Sequence, residues 1–208
     1  ALSFGLFNGG GVEGAAYGVL VTSLVFLIVV LHELGHSIAA LNYGVPVRQI
    51  ILLPIGGVAQ LEEIPEDPVK ELVIAIAGPA VNFVLAILMA AAAPILGQSL
   101  SLQNISGIAG ILGQLTFASV FLYIFTTNLF IGVFNLIPAY PMDGGRILRA
   151  LLATRLRYTR ATAIAVSIFT LIMVFSPQIV SLFTNDTDLI ERTTPALRAV
   201  FLATPLIA

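Results

Sequence analysis

Apolar residues run through this chain in long uncharged stretches, separated by short clusters of charge, glycine and proline. From Tyr17 to Leu31 no residue is charged. A helix over about Ala16 to Tyr43 therefore exceeds the roughly 20 residues needed to cross a bilayer, and Gly44 with Val45-Pro46 ends it. Comparable runs over about Leu72 to Leu96, Leu115 to Leu136 and Ala161 to Phe183 predict three further spans. Residues 1 to 15, Gln98 to Gln114 and Asn185 to Thr194 carry the polar and turn-forming residues of loops.

Two segments break this rhythm. Residues 45 to 61 are β-branched and interrupted by Pro46, Pro54 and Gly56-Gly57, too short between breaks to cross a membrane. They predict two short strands or a re-entrant hairpin. Such a segment is either a surface hairpin or lies at membrane depth where protein or a wet cavity satisfies its backbone. An open edge there, with Gly57 and Val58 on it, would let an unwound peptide add by main-chain hydrogen bonds. Next come Glu62, Glu63, Glu66, Asp67 and Glu71 with Pro65 and Pro68, which read as a solvated acidic connector. After the third span, Pro138 and Pro141 forbid a regular helix, so a bent, extended segment leads to Asp143. A short amphipathic helix from Arg146 to about Arg155 is expected after it.

Composition fixes the class. The chain has 208 residues, 58% hydrophobic and 10% charged, with a mean hydropathy of +1.03, far from the balance of a soluble domain. The expected fold is an all-α polytopic membrane protein, a bundle of about four to six transmembrane helices with a small membrane-associated β-hairpin or sheet. It reads as one domain over residues 1–208. A net charge of -2 offers no basic face to nucleic acid. With no cysteine, disulfides and thiolate metal sites are excluded. The chain opens on Ala without a basic leader and stops inside an apolar run, so a fragment of a longer protein is expected. Alternating the spans collects Arg48, Lys70, Arg146, Arg149, Arg155, Arg157 and Arg160 on one side, leaving only Arg192 and Arg198 elsewhere. By the positive-inside rule that side is cytoplasmic.

Against this apolar background, Leu31-His-Glu-Leu-Gly-His-Ser37 stands out. It holds both histidines of the chain, and ionisable groups in a span cost about 2.5 to 3.5 kcal/mol or more each unless they serve a site or find partners. On a helix, His32 and His36 fall on one face a turn apart, a chelating arrangement. Glu33 lies one step round, within reach of the attacking water without being a ligand. A catalytic zinc takes three protein ligands and leaves one position open, so the third must be a carboxylate. Asp143 fits, although Asp before Gly-Gly-Arg also suits a helix N-cap; Glu62 and Glu63 are alternatives. Asn82 and Asn135 are candidates to hold substrate or the developing oxyanion, although Asn82 taken by itself in a span favours a helix-to-helix hydrogen bond.

His32-Glu33-x-x-His36 at the end of one span, with Asn135-x-x-Pro138-x-x-x-x-Asp143-Gly144 after a later one, resembles the site-2 protease family of intramembrane zinc metalloproteases. Leu-Leu-Pro-Ile-Gly-Gly-Val-Ala and Gly-Gly-Arg-Ile-Leu-Arg-Ala are also similar to its members. The likeness covers a catalytic core of roughly residues 16 to 155, and residues 156–208 match weakly. The resemblance implies one Zn2+ bound by His32, His36 and Asp143, Glu33 as the catalytic carboxylate, and cleavage of transmembrane protein substrates such as membrane-tethered transcriptional regulators. A prokaryotic cell membrane is the expected location. A membrane metal-binding or transport protein with the same ligands, or a catalytically silent relative that binds transmembrane helices, are the competing readings.

Overall fold

The computed structural model describes residues 11–53, 56–61, 67–100, 116–182 and 184–203. Its first helix, α1 (Gly11–Asn42), is followed by strands β1 (Val47–Leu53) and β2 (Gly56–Leu61), which pair as a two-stranded sheet. Helices α2 (Pro68–Ala92), α3 (Phe117–Asn135), α4 (Asp143–Ala153), α5 (Tyr158–Val174), α6 (Ser176–Ser181) and α7 (Thr187–Ala203) complete the described chain.

Local chemistry explains the boundaries. Gly44 takes φ +74 after α1, a left-handed conformation that a Cβ would strain, and the amides of Gly44 and Val45 close back on Leu41 and Ala40. Asp67 caps α2, its Oδ1 accepting from the backbone of Val69 at 2.9 Å and Lys70 at 3.3 Å, with Pro68 at the first helical position. The helix thus starts four residues earlier than its hydropathy predicts, and Glu71 lies within it.

Among the described residues, three helices are long and apolar enough to cross a membrane: Gly14–Asn42, Pro68–Ala92 and Phe117–Asn135. Leu20 and Leu27 on α1, Ile87 and Leu88 on α2, and Phe130 and Val133 on α3 are exposed. Large apolar side chains turned outward at this density suit hydrocarbon rather than water. The expected fourth span is shorter and broken. Apolar α5 ends at Val174, Phe175 leaves helical geometry, and Ser176-Pro177 starts a separate short helix, because Pro177 has no amide hydrogen to continue the ladder. The expected loop over Asn185 to Thr194 is helical from Thr187 onward, and residues 11–15, also expected in a loop, belong to α1. Glu62, Glu63, Glu66 and most of the Gln98–Gln114 loop lie outside the described residues.

The chain forms two compact units. The first comprises the described parts of Ala1–Gly35, Ile50–Ala59 and Ala77–Val133. Within it, backbones approach closely at glycine: a Cβ on Gly35 would sit 2.7 Å from the Ala77 carbonyl oxygen and 2.8 Å from a Val81 methyl. Small residues serve this purpose where helices meet in membranes.

The second unit comprises the described parts of His36–Gln49, Gln60–Ile76 and Phe134–Ala208. Here α4 packs on α5, and Ala139 and Met142 are buried beneath Phe134, Ile168, Phe169 and Ile172.

Candidate metal centre

His32 and Glu33 lie on α1 and both are buried. The His32 Nδ1 is 2.5 Å from the Asn82 Oδ1. Asn82, on α2, is fully buried, and its Nδ2 donates to the Asn128 Oδ1 on α3 at 3.2 Å. Asn128 in turn donates from Nδ2 to the Ile124 carbonyl at 3.0 Å. Both polar atoms of Asn82 therefore engage protein groups, which suits orienting an imidazole. The bond to Asn128 is the helix-to-helix contact also expected of Asn82 from the sequence.

His36 is supported differently. Its Nδ1 is 2.7 Å from the Ile74 carbonyl oxygen of α2, and its Nε2 is 3.1 Å from the Asp143 Oδ2. Asp143 is the first residue of α4, whose N-cap is Met142, so the capping role open to Asp143 in the sequence is not the one it takes. The glycines after it are sterically required. A Cβ on Gly144 would overlap the Ile137 carbonyl, and one on Gly145 would come within 2.6 Å of the Tyr140 amide nitrogen. The proline-bent segment thus folds directly over the start of α4.

A charged cluster anchors the same unit. Glu71 is 0% exposed and Arg149 is 6% exposed. Arg149 donates to the Glu71 Oε1 from Nε at 2.8 Å and also from Nη2, while its guanidinium lies 5.5 Å from the Tyr140 ring centroid and 4.9 Å from that of Tyr158. Glu71 is therefore no solvated connector, and Arg149 is buried with it. Their signal in the sequence was an acid immediately before the apolar run of α2 and a base within the amphipathic helix α4. Burial pushes the Tyr140 phenol up to about 12, more strongly than Arg149 pulls it down. The hydroxyl is buried with no hydrogen-bond partner among the described residues.

His32, His36 and Asp143 each offer one ligand atom, and the three atoms lie within 4.8 Å of one another. The unbroken α1 fixes the two histidines one turn apart. Two imidazoles and a carboxylate make the donor set of a catalytic zinc with one position left open. Atoms held about 2.0 Å from a tetrahedral ion lie roughly 3.3 Å apart, and the 3.1 Å between His36 Nε2 and Asp143 Oδ2 fits that spacing. Both Nδ1 atoms face oxygen acceptors, which leaves each Nε2 to ligate. Asn135 is the last residue of α3 and is partly buried. Gly57 and Val58 belong to β2, their side chains outside the described set.

A sequence profile of Peptidase family M50 matches residues 20–176. A zinc metalloprotease of Methanocaldococcus jannaschii is 47% identical over 146 residues, 70% of this chain and 38% of the relative. Stage IV sporulation protein FB of Bacillus subtilis is 33% identical over 138 residues, 66% of this chain and 42% of the relative. This chain therefore spans about two fifths of the length of those two curated relatives. The solved site-2 protease from Methanocaldococcus jannaschii superposes with a TM-score of 0.60 at 31% identity, covering 92% of this chain and 86% of that one. With three long apolar helices and a donor set fit for zinc, this multi-pass membrane protein belongs to peptidase family M50, the site-2 protease family.

Proposed function

We propose that this chain carries the protease core of an intramembrane zinc metalloprotease, with residues of about 16–155 forming the catalytic part of a single domain and His32, His36 and Asp143 holding the ion. The observation that carries this reading is the grouping of those three ligand atoms within 4.8 Å, with Glu33 adjacent in sequence and buried. Bound there, zinc would polarise the scissile carbonyl and bring water into a range where it loses a proton near neutral pH. Glu33 accepts that proton as the water oxygen bonds to the carbonyl carbon, then delivers it to the amide nitrogen as the C–N bond breaks. Asn82 and the Ile74 carbonyl hold the imidazoles so that neither ligand turns away during this transfer.

Substrate is a membrane-anchored protein, of the kind represented by a tethered regulator of transcription. Its unwound segment pairs along the edge of the small membrane-associated sheet near Gly57 and Val58, where main-chain hydrogen bonds recognise a peptide with little regard to side chain. Asn135, at the end of α3, is the remaining amide for the oxyanion. The concentration of Arg and Lys in residues 44–71 and 137–160 favours a site opening to the cytoplasm, even with Arg149 buried and neutralised. The prokaryotic sources of the relatives favour a prokaryotic cell membrane.

Glu33→Gln tests the assignment. Zinc content of the purified variant is expected to equal that of the unmutated protein, while cleavage of a membrane-embedded reporter falls by about 10²- to 10⁴-fold. Undiminished cleavage would remove Glu33 from the reaction.

A further inference from the structure

We infer that Asn128, on α3, is a positioning residue that fixes His32 as the Nδ1–H tautomer by acting through Asn82. A backbone carbonyl can only accept, so the Asn128 group 3.0 Å from the Ile124 oxygen must be the amide nitrogen. The Asn128 oxygen therefore faces Asn82 and accepts from its Nδ2 at 3.2 Å. With its nitrogen so used, Asn82 turns its oxygen to His32 Nδ1 at 2.5 Å, and an oxygen at that distance requires a proton on Nδ1. The lone pair of a neutral His32 is then on Nε2. One helical carbonyl thus dictates, three hydrogen bonds away, which ring nitrogen is free to ligate.

Burial makes the dictation firm. Asn82 is 0% and Asn128 1% exposed, so water cannot take over a lost partner. Turning either amide over sets oxygen against oxygen at one end and nitrogen against nitrogen at the other, leaving buried groups unsatisfied. Asn128 sits inside an apolar helix, where its sequence context announces only helix-to-helix bonding.

The consequence for zinc rests on the metal site proposed above; the tautomer itself does not. The chain has only two histidines, so ¹⁵N-histidine-labelled protein in detergent, stripped of metal at pH about 8.5 where imidazole is neutral, shows two ring systems. His32, assigned by its loss in His32→Gln, is expected as Nδ1–H in the unmutated protein and as a mixture with Nε2–H in Asn128→Leu. Zinc affinity by chelator competition is expected to fall about tenfold in Asn128→Leu, at the low end of the 10- to 100-fold range for groups that orient a ligand directly. Asn128→Asp, which when buried and protonated keeps one donor for Ile124 and one acceptor for Asn82, is expected to restore both readouts.

An Nε2–H His32 in the unmutated protein overturns the inference without need of any variant. Folded Asn128→Leu with unchanged tautomer and unchanged zinc affinity overturns it as well. Unmutated protein that binds no zinc while holding His32 as Nδ1–H sinks the metal site and leaves the tautomer assignment standing.

Discussion

The two histidines of α1 are one turn apart, yet they are held in opposite ways. His32 rests on neutral side-chain amides, Asn82 and then Asn128. His36 rests on a backbone carbonyl, Ile74, in a unit where the neighbouring polar chemistry is charged, with Glu71 and Arg149 buried together. The difference lies in what failure means. Amides are inexpensive to bury when paired and lose only a hydrogen bond or two when broken, whereas a buried ion pair exposes its desolvation penalty once one partner is removed. The neutral side can be tuned by side-chain substitution; the charged side is a structural clamp.

The sharpest way to break this contrast is Arg149→Met, which leaves Glu71 charged, buried and alone, with its Oε2 already lacking a hydrogen-bond partner among the described residues. We expect destabilisation of about 3 to 5 kcal/mol, read as a lowered unfolding midpoint in detergent. The double variant Glu71→Met/Arg149→Met should recover most of it. Equal losses in the single and double variants would mean that packing against Tyr140 and Tyr158, rather than charge, is what Arg149 contributes.

Gly35→Ala probes the neutral side by geometry instead of polarity. Its new methyl meets the Ala77 carbonyl oxygen at 2.7 Å, so α1 must shift against backbone atoms. A loss of about 1 to 3 kcal/mol is expected, together with weakened zinc retention, because the glycine sits between His32 and His36, the proposed ligands. A variant as stable as the parent would show that this close approach can relax freely.

The smallest expected effect belongs to Tyr140→Phe. A phenol held at about 12 instead of 10.0 binds its proton more tightly folded than unfolded. Its contribution is therefore whole below pH 10 and is lost as pH rises toward 12. Near pH 7 the variant should unfold at the parent's midpoint or slightly above it, since it discards an unpaired hydroxyl. The alkaline decline of stability between those two pH values should become shallower. An unchanged alkaline profile would place the raised titration elsewhere.

The candidate ligands were legible in the sequence because the placement of two of them is a local matter. A helical repeat puts His32 and His36 on one face wherever the helix forms, and the elimination of cysteine and further histidine pointed to a carboxylate. The three long apolar helices were legible for the same kind of reason, since hydropathy over twenty residues needs no partner to be read. For Asn82 the helix-to-helix hydrogen bond was legible as a general property of an amide in a span, and its partner, Asn128, was not, because the sequence cannot say which way an amide faces. Glu71 was misread because an acid next to Asp67 and Pro68 looks like the end of a loop until Asp67 is seen capping a helix that already contains it.

What the sequence determined by itself, then, is the apolar helices and the pairing of His32 and His36 with a carboxylate still to be chosen. The tertiary structure decided which donors converge, which asparagines stand behind His32, and that Glu71 finds Arg149 across 78 residues of chain. The physical reason is range. Helix periodicity and hydropathy act over a few turns, but satisfying a buried hydrogen-bonding group depends on which distant segment reaches it, and only the folded chain specifies that.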